Sequence, residues 1–567
     1  MQTSATKKEL SMRLRYVIST LSLLIGGCGG SGTGTPVTHP ADASAQFLPV
    51  SANASNGSLD SRSTGLFVFS SSSPQDPPKQ ITTGPVIGLS AHVQHTVDAQ
   101  GMVSAGRPDE LFYTTLDPSG NNHVWLLDVT GTSSLVPKQL SNLTLPYYME
   151  HFGPGANGPV LYCRSRAISK NLTDPASVLL FLSVPTSASP YCTTDPVTTR
   201  WYLLHSSDGS TTVPVDLPLL SSEILPLYSP TGALAGLVAV DAAHNLNFYG
   251  DETLANPHVL LTNVSTIVPR QEHSAGLISS NPTYSFLEVR QTGITSTETI
   301  YRIDYTGAIS GALYSYSASL NGALVESNTL YLAEVHGNTN PFMELVTRIP
   351  GDGTASQVLS TVSTQQAGWL PVLEGVSGAN LVFSAATAQQ QWMVQTLAKG
   401  APGAITTLRT YDGVTSVGIA GGDILVSATK VSSGQVTTFQ SSSQIMDSAG
   451  TDLQALTPSS TFISAGTPVV QVRDIAGTDG GPGGGTLFSI DLSQPSAPVS
   501  TALKTVGGAA FSFRSGAPNV YFSQVTPTLD VAEDGGGGLI VDLTKHTVVP
   551  VSIPNATIYF LMSGLVN

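Results

Sequence analysis

The chain of 567 residues carries 38 acidic against 23 basic side chains, a formal charge of −15, and only 11% of its residues are charged. A surface this acidic repels phosphate backbones and offers no basic patch to anionic lipids, which argues against nucleic-acid binding and against electrostatic attachment to a membrane. Gly (55) and Pro (37) are plentiful and amphipathic Ala/Leu/Glu/Lys runs are nearly absent, so long helices are excluded and strands and turns are expected.

In chain order, Lys7, Lys8, Arg13 and Arg15 come first, and Met12-Arg13-Leu14-Arg15 would itself serve as a compact signal start. Tyr16 to Ile25 is an apolar stretch too short to span a bilayer, and it ends in Ile25-Gly26-Gly27-Cys28. This order of charge, apolar run, two small residues and Cys resembles the lipobox signal of bacterial lipoproteins. The resemblance implies that residues 1–27 are a signal peptide that is removed and that Cys28 carries the lipid, the chain's attachment to the membrane. Removal takes away four basic residues and Glu9, leaving 19 basic against 37 acidic, or −18. Gly29 follows the cysteine where Asp would favour inner-membrane retention, so the resemblance implies the outer membrane, with the periplasmic or outer face left open. Residues 28–62 are rich in Gly, Ser, Thr, Ala and Pro and read as a flexible tether.

The body, 63–567, repeats one theme: a short β-type run, a polar turn, a second run, then a connection with Pro or Gly. The first runs are Leu66-Phe67-Val68-Phe69, Leu111-Phe112-Tyr113, Val160-Leu161-Tyr162, Gly236-Leu237-Val238, Tyr284-Ser285-Phe286-Leu287 and Leu330-Tyr331-Leu332. Leu381-Val382-Phe383, Ile424-Leu425-Val426, Val469-Val470-Gln471-Val472 and Val520-Tyr521-Phe522 complete the set. Well-marked neighbours start roughly 44 to 51 residues apart, the size of a four-stranded propeller blade. The interval from Leu161 to Leu237 is longer and is expected to hold an insertion or a poorly marked unit. Four second runs end in Asp128, Asp304, Asp491 and Asp542, each followed by a residue or two that include Thr or Ser. An Asp there accepts hydrogen bonds from the N–H groups of the following turn.

Asp109-Glu110-Leu111-Phe112-Tyr113, then Asp117-Pro118-Ser119-Gly120, then Val124-Trp125-Leu126-Leu127-Asp128 resembles a TolB-type blade. The resemblance implies an all-β β-propeller of about eight to ten four-stranded blades in one ring; two smaller propellers are the alternative. No functional residue is carried over from it.

Little in the sequence points to chemistry. Cys163 and Cys192, in an exported chain, are expected to form a disulfide closing a loop of about 30 residues, worth roughly 3–4 kcal/mol in chain-entropy terms, or else to stay as two buried thiols. The nearest approach to a nucleophile elbow is Glu272-His273-Ser274-Ala275-Gly276, with Glu where the turn needs Gly. His92 and His95, three apart, fall on opposite faces of a strand and make poor joint ligands. The acidic Gly-rich stretches Asp474 to Gly485 and Asp530 to Gly538 have calcium-binding residue types but read as solubilised hairpin loops. Trp125, Trp201, Trp369 and Trp392 read as packing between blades. No catalytic residue, metal ligand or cofactor is assigned. The reading is a lipid-anchored cell-envelope propeller acting as a non-enzymatic binding or scaffold module toward an envelope protein or glycan. A carbohydrate-active lyase or hydrolase with its site on a propeller face is the alternative.

Overall fold

The computed structural model describes most of residues 46–561; it leaves out 1–45, 562–567 and several connections, of which 141–163, 186–198, 475–484 and 206–214 are the longest. The described residues form ten four-stranded antiparallel sheets, three two-stranded hairpins and a single 3-10 turn, Ala367–Trp369. The fold is an all-β propeller.

Numbered in chain order, blade 2 covers 86–139, blade 3 164–217, blade 4 225–261 and blade 5 264–316. Blade 6 covers 319–364, blade 7 372–412, blade 8 414–458, blade 9 460–506 and blade 10 521–551. In each of these nine the four strands pair in sequence order. Blade 1 differs: Phe47–Ala54, Ser63–Ser70 and Lys79–Thr82 take their innermost strand, Ala556–Phe560, from the end of the chain. Each blade touches the next, and blade 10 touches blade 1, so the ten form one closed ring and not two smaller propellers.

The second strands explain why the repeat is visible in sequence. Each lies mid-sheet with a neighbouring blade on either side, so both of its faces are buried and it reads as an unbroken apolar run. Leu111, Phe112 and Tyr113 are all fully buried. Among the described residues, nine of the ten seams show an apolar cluster drawn from both adjoining blades, as where Leu48, Val50 and Ile558 of blade 1 pack on Leu529, Val531 and Ile540 of blade 10. Glycine permits the closest approach between inner strands. A Cβ at Gly322 would lie 2.7 Å from Leu373 Cβ, and one at Gly375 2.7 Å from Ile419 Cγ1.

Four expectations change. Phe47–Ala54, read as part of the tether, is the second strand of blade 1, because its apolar residues Leu48, Val50 and Ala52 alternate into the seam with blade 10. Leu66 to Phe69 belongs to a third strand, and Tyr521–Thr526 is an inner strand, with Leu529–Asp534 the second strand of blade 10. Asp530, Glu533 and Asp534 therefore lie on a strand, not in a loop. The long interval holds a poorly marked blade, one of the two alternatives expected, but its second strand is Val178–Pro185 and not the run Val160 to Tyr162, which lies outside the described residues.

Three of the four turn aspartates act as expected. Asp128, Asp304 and Asp542 each accept a backbone N–H two residues on, from Thr130 (2.8 Å), Thr306 (2.9 Å) and Thr544 (3.0 Å). Asp241, Asp352 and Asp447 do the same for Ala243, Thr354 and Ala449, each at 2.9 Å.

Candidate functional site

The ring has two faces. The lower carries the links between first and second strands of each blade; the upper carries the links between second and third strands and from blade to blade. Two polar groupings stand out, one toward each face.

Toward the lower face, His92 on the inner strand of blade 2 hydrogen-bonds through Nδ1 to Asp109 Oδ1 and through Nε2 to Ser169 Oγ of blade 3, each at 2.5 Å. The order Asp–His–Ser is that of a nucleophilic triad. Its setting is not. The three residues are 1%, 3% and 4% exposed, and Ser169 is also bonded by the Tyr228 side chain of blade 4. A substrate carbonyl has no approach to that oxygen. The trio instead clasps neighbouring blades, assisted by Ala167 N–H donating to Ser90 Oγ at 3.1 Å. Burial raises the Asp109 carboxyl above its ordinary range, against the opposing pull of His92.

Toward the upper face, the seam between blades 5 and 6 changes character along its length. Its lower half is apolar: Phe286 and Ile300 meet Leu330, Leu332 and Ile349. Arg302 lies 5.7 Å from the Tyr284 ring centre and donates to the Gly351 carbonyl of blade 6 at 2.5 Å. Its upper half gathers charge. The pairing register puts Glu288, Glu298 and Tyr316 on the same face of blade 5 as Phe286 and Ile300, and Glu334, His336 and Thr347 on the same face of blade 6 as Leu332. Glu288 accepts from Arg270 Nε at 3.0 Å and is also bonded by Tyr316. Glu298 accepts from Arg290 Nε at 2.6 Å. Across the seam the Tyr314 hydroxyl donates to Glu334 Oε2 at 3.3 Å.

All three carboxylates are buried, while Arg270, Arg290 and His336 keep part of their side chains exposed. Burial and the adjacent Glu288 push the Tyr316 phenol above its usual value; burial and Glu334 do the same to Tyr314. Both tyrosines therefore stay protonated as hydrogen-bond donors. The result is a preorganised charged seam in a chain otherwise poor in charge.

Other buried acids are not grouped in this way. Glu344 points from blade 6 toward blade 7 and accepts from Asn321 Nδ2 at 2.8 Å; burial pushes its carboxyl up to about 8. Burial, helped by Asp109 and Asp128, takes Glu110 to about 8, and burial takes Glu374 to about 7. In each case the native state holds a proton that the unfolded chain releases near 4.5. Their combined effect is stability that is highest in mild acid and falls as pH rises from about 5 toward 8. Glu344→Gln keeps the acceptor for Asn321 and removes the ionisation. It is expected to stabilise the protein by about 1–3 kcal/mol at pH 8 and by little at pH 5, measured by urea unfolding at both values. An equal effect at the two pH values would contradict this account of Glu344.

Of the residues singled out in sequence, Cys28, Cys163, Cys192 and His95 lie outside the described residues. Ser274 sits in a short hairpin, paired with Leu277, with no helix after it. Trp125 and Trp201 pack in the seams between blades 1 and 2 and between blades 3 and 4. The residues of the charged seam escaped sequence reading. Their signal was present in Phe286-Leu287-Glu288-Val289-Arg290 and Leu332-Ala333-Glu334-Val335-His336, where charges at alternate positions close an apolar run.

No protein-family model matches the chain, and no curated protein sequence matches it. Among solved structures it is similar to Porphyromonas gingivalis dipeptidyl peptidase 4 (11% identity, 78% of this chain and 65% of that one, TM-score 0.35). It is also similar to the tricorn protease (10% identity, 91% and 48%, TM-score 0.31) and to the BP39L lectin from Burkholderia pseudomallei (12% identity, 69% and 98%, TM-score 0.27). The chain thus spans about half the length of the tricorn protease. At TM-scores this low the likenesses carry no argument about function, and the propeller rests on the chain's own sheets and their closure into a ring.

Proposed function

We propose that this chain is a lipid-anchored protein of the bacterial cell envelope whose ten-bladed propeller is a non-enzymatic binding or scaffold module. The observation that carries the binding role is the charged upper half of the seam between blades 5 and 6. Glu288, Glu298 and Glu334 are held there by Arg270, Arg290 and Tyr314, and both arginines keep part of their side chains exposed. Buried charge is costly, and charges fixed before a partner arrives reduce the cost of ordering them on association. The anchor rests on the order of residues that ends in Cys28. The partner is an envelope protein or a glycan, since the acidic balance disfavours polyanions.

In-cell cross-linking of the tagged protein, followed by affinity capture and mass spectrometry against a Cys28→Ala control, tests this reading. The expected result is a reproducible envelope partner that the control loses and that Arg290→Ala weakens. Capture that is the same with and without Cys28, or indifferent to Arg290, would overturn it.

A further inference from the structure

We propose that the lower end of the seam between blades 2 and 3 is a proton-coupled joint: closing the Asp109–His92–Ser169 clasp captures a proton on Glu110, and opening it releases that proton. The placement begins with a break in a ladder. Val86–Val93 pairs with Pro108–Leu116 so that His92 stands opposite Glu110 and Val93 opposite Pro108, which leaves Asp109 as the extra residue of a β-bulge. A bulge sets two residues against one and re-aims a side chain. Asp109 Oδ1 thereby reaches His92 Nδ1 at 2.5 Å, and two adjacent acids are brought to one histidine.

The next strand adds a third acid. Asp128 stands directly opposite Glu110, and like charges so placed repel. Phe112 and Leu126, two residues away on the same two strands, pack on Val178 and Leu180 of blade 3, so Glu110 and Asp128 face blade 3 as well. Asp128 is fixed there by the Thr130 N–H, 2.8 Å from its Oδ1. The basic groups facing Glu110 are fewer: Lys138 on the outer strand of blade 2, and His92. Blade 3 presents Ser169 and Val178 on its facing side, neither of them charged. Glu110 Oε2 and Asp109 Oδ2 are buried and have no hydrogen-bond partner among the described residues. An ionised carboxylate in that setting is costly and a neutral one much less so, and a proton on Glu110 leaves two acids facing two bases.

Burial, then Asp109 and Asp128, push the Glu110 carboxyl from its ordinary 4.5 up to about 8. The closed value lies above the ordinary one, so the closed joint holds the proton and the opened seam gives it up. Closure is therefore firmest in mild acid and weakens as pH rises from about 5 toward 8. The joint also lies where the chain enters the ring. Gln46 Nε2 donates to the Pro108 carbonyl at 3.0 Å and to the Val129 carbonyl at 2.7 Å, which ties the first described residue to the same end of blade 2. Loosening is thus felt at the point from which a tether would pull. This inference does not depend on the binding role proposed above.

Hydrogen exchange read by mass spectrometry on the full-length, detergent-solubilised protein at pH 5 and pH 8 tests it. Parent and Glu110→Gln are compared at each pH, so that the intrinsic exchange rate cancels. Between the two pH values, protection of Val86–Val93 and Arg164–Ser169 should fall at least about tenfold further in the parent than in the variant. Thr329–His336 in blade 6 should respond alike in both. Asp128→Asn keeps an acceptor for the Thr130 N–H and removes one opposing charge, so its response should lie between those two. Both substitutions are close to isosteric, and circular dichroism verifies that the variants fold. A pH response unchanged by Glu110→Gln and Asp128→Asn, or one spread equally over Thr329–His336, would overturn the proposal and leave the acids as static members of the seam.

Discussion

Deleting residues 555–567 is expected to abolish the cooperative native state. The deletion takes away Ala556–Phe560, the inner strand of blade 1, which pairs the end of the chain with its first described strand. Its register runs from Ala54 opposite Ala556 to Val50 opposite Phe560, so a complete set of ladder bonds is lost with it. Ile558 and Phe560 are 1% and 4% exposed, and both sit in the cluster shared with blade 10. Truncating a buried Ile or Phe to Ala costs about 2–5 kcal/mol, so removing the whole strand approaches the total stability of about 5–15 kcal/mol of a typical folded protein. The point variant Ile558→Ala gives the graded form of the test, an expected loss of about 2–5 kcal/mol by urea unfolding. A truncated protein that still unfolds at the parent midpoint would show that closure through this strand does not hold the ring.

The second large effect is expected at His92. Replacing it with Leu leaves Asp109 buried with neither oxygen satisfied by a side chain and takes one of two partners from Ser169, leaving Tyr228. Breaking a buried polar pair by removing one member costs about 3–5 kcal/mol, whereas replacing both members with apolar groups is often close to neutral. The double variant His92→Leu/Asp109→Leu should therefore recover much of the loss, and a double-mutant cycle reads the coupling directly. Simple addition of the two single losses would contradict the clasp. The same geometry makes a chemical prediction: a serine-reactive fluorophosphonate should not label Ser169 in the folded protein. Labelling that Ser169→Ala abolishes would mean that the trio is reached by substrates.

What could be read from sequence and what could not divide along physical lines. The second strands were legible because burial on both faces writes them as continuous apolar runs, and the turn aspartates because their hydrogen bonds are local. Inner strands were harder. Ser319–Glu326 and Val372–Ser377 must carry Gly322 and Gly375 where neighbouring blades come closest, and glycine weakens a strand signal. Val178–Pro185 passed unnoticed because Val160 to Tyr162, an apolar run nearer the expected period, stood in its place. The charged seam was illegible for another reason. Tyr314 and Glu334 lie on separate blades and meet only because consecutive blades stack face to face, and nothing local in either segment announces the other. The same holds for His92 and Ser169, which are 77 residues apart.

The way blade 1 is assembled also orients the molecule. Phe47 begins a second strand, and second strands begin at the lower face, so the chain enters the ring there. A lipid at Cys28 would draw on the ring from that side, through residues 29–46, which reach at most about 60 Å when fully extended. The charged residues of the seam between blades 5 and 6 lie toward the opposite side. Under the anchoring proposed at Cys28, the lower face would lie toward the bilayer and Arg290 and His336, near the upper ends of their strands, away from it.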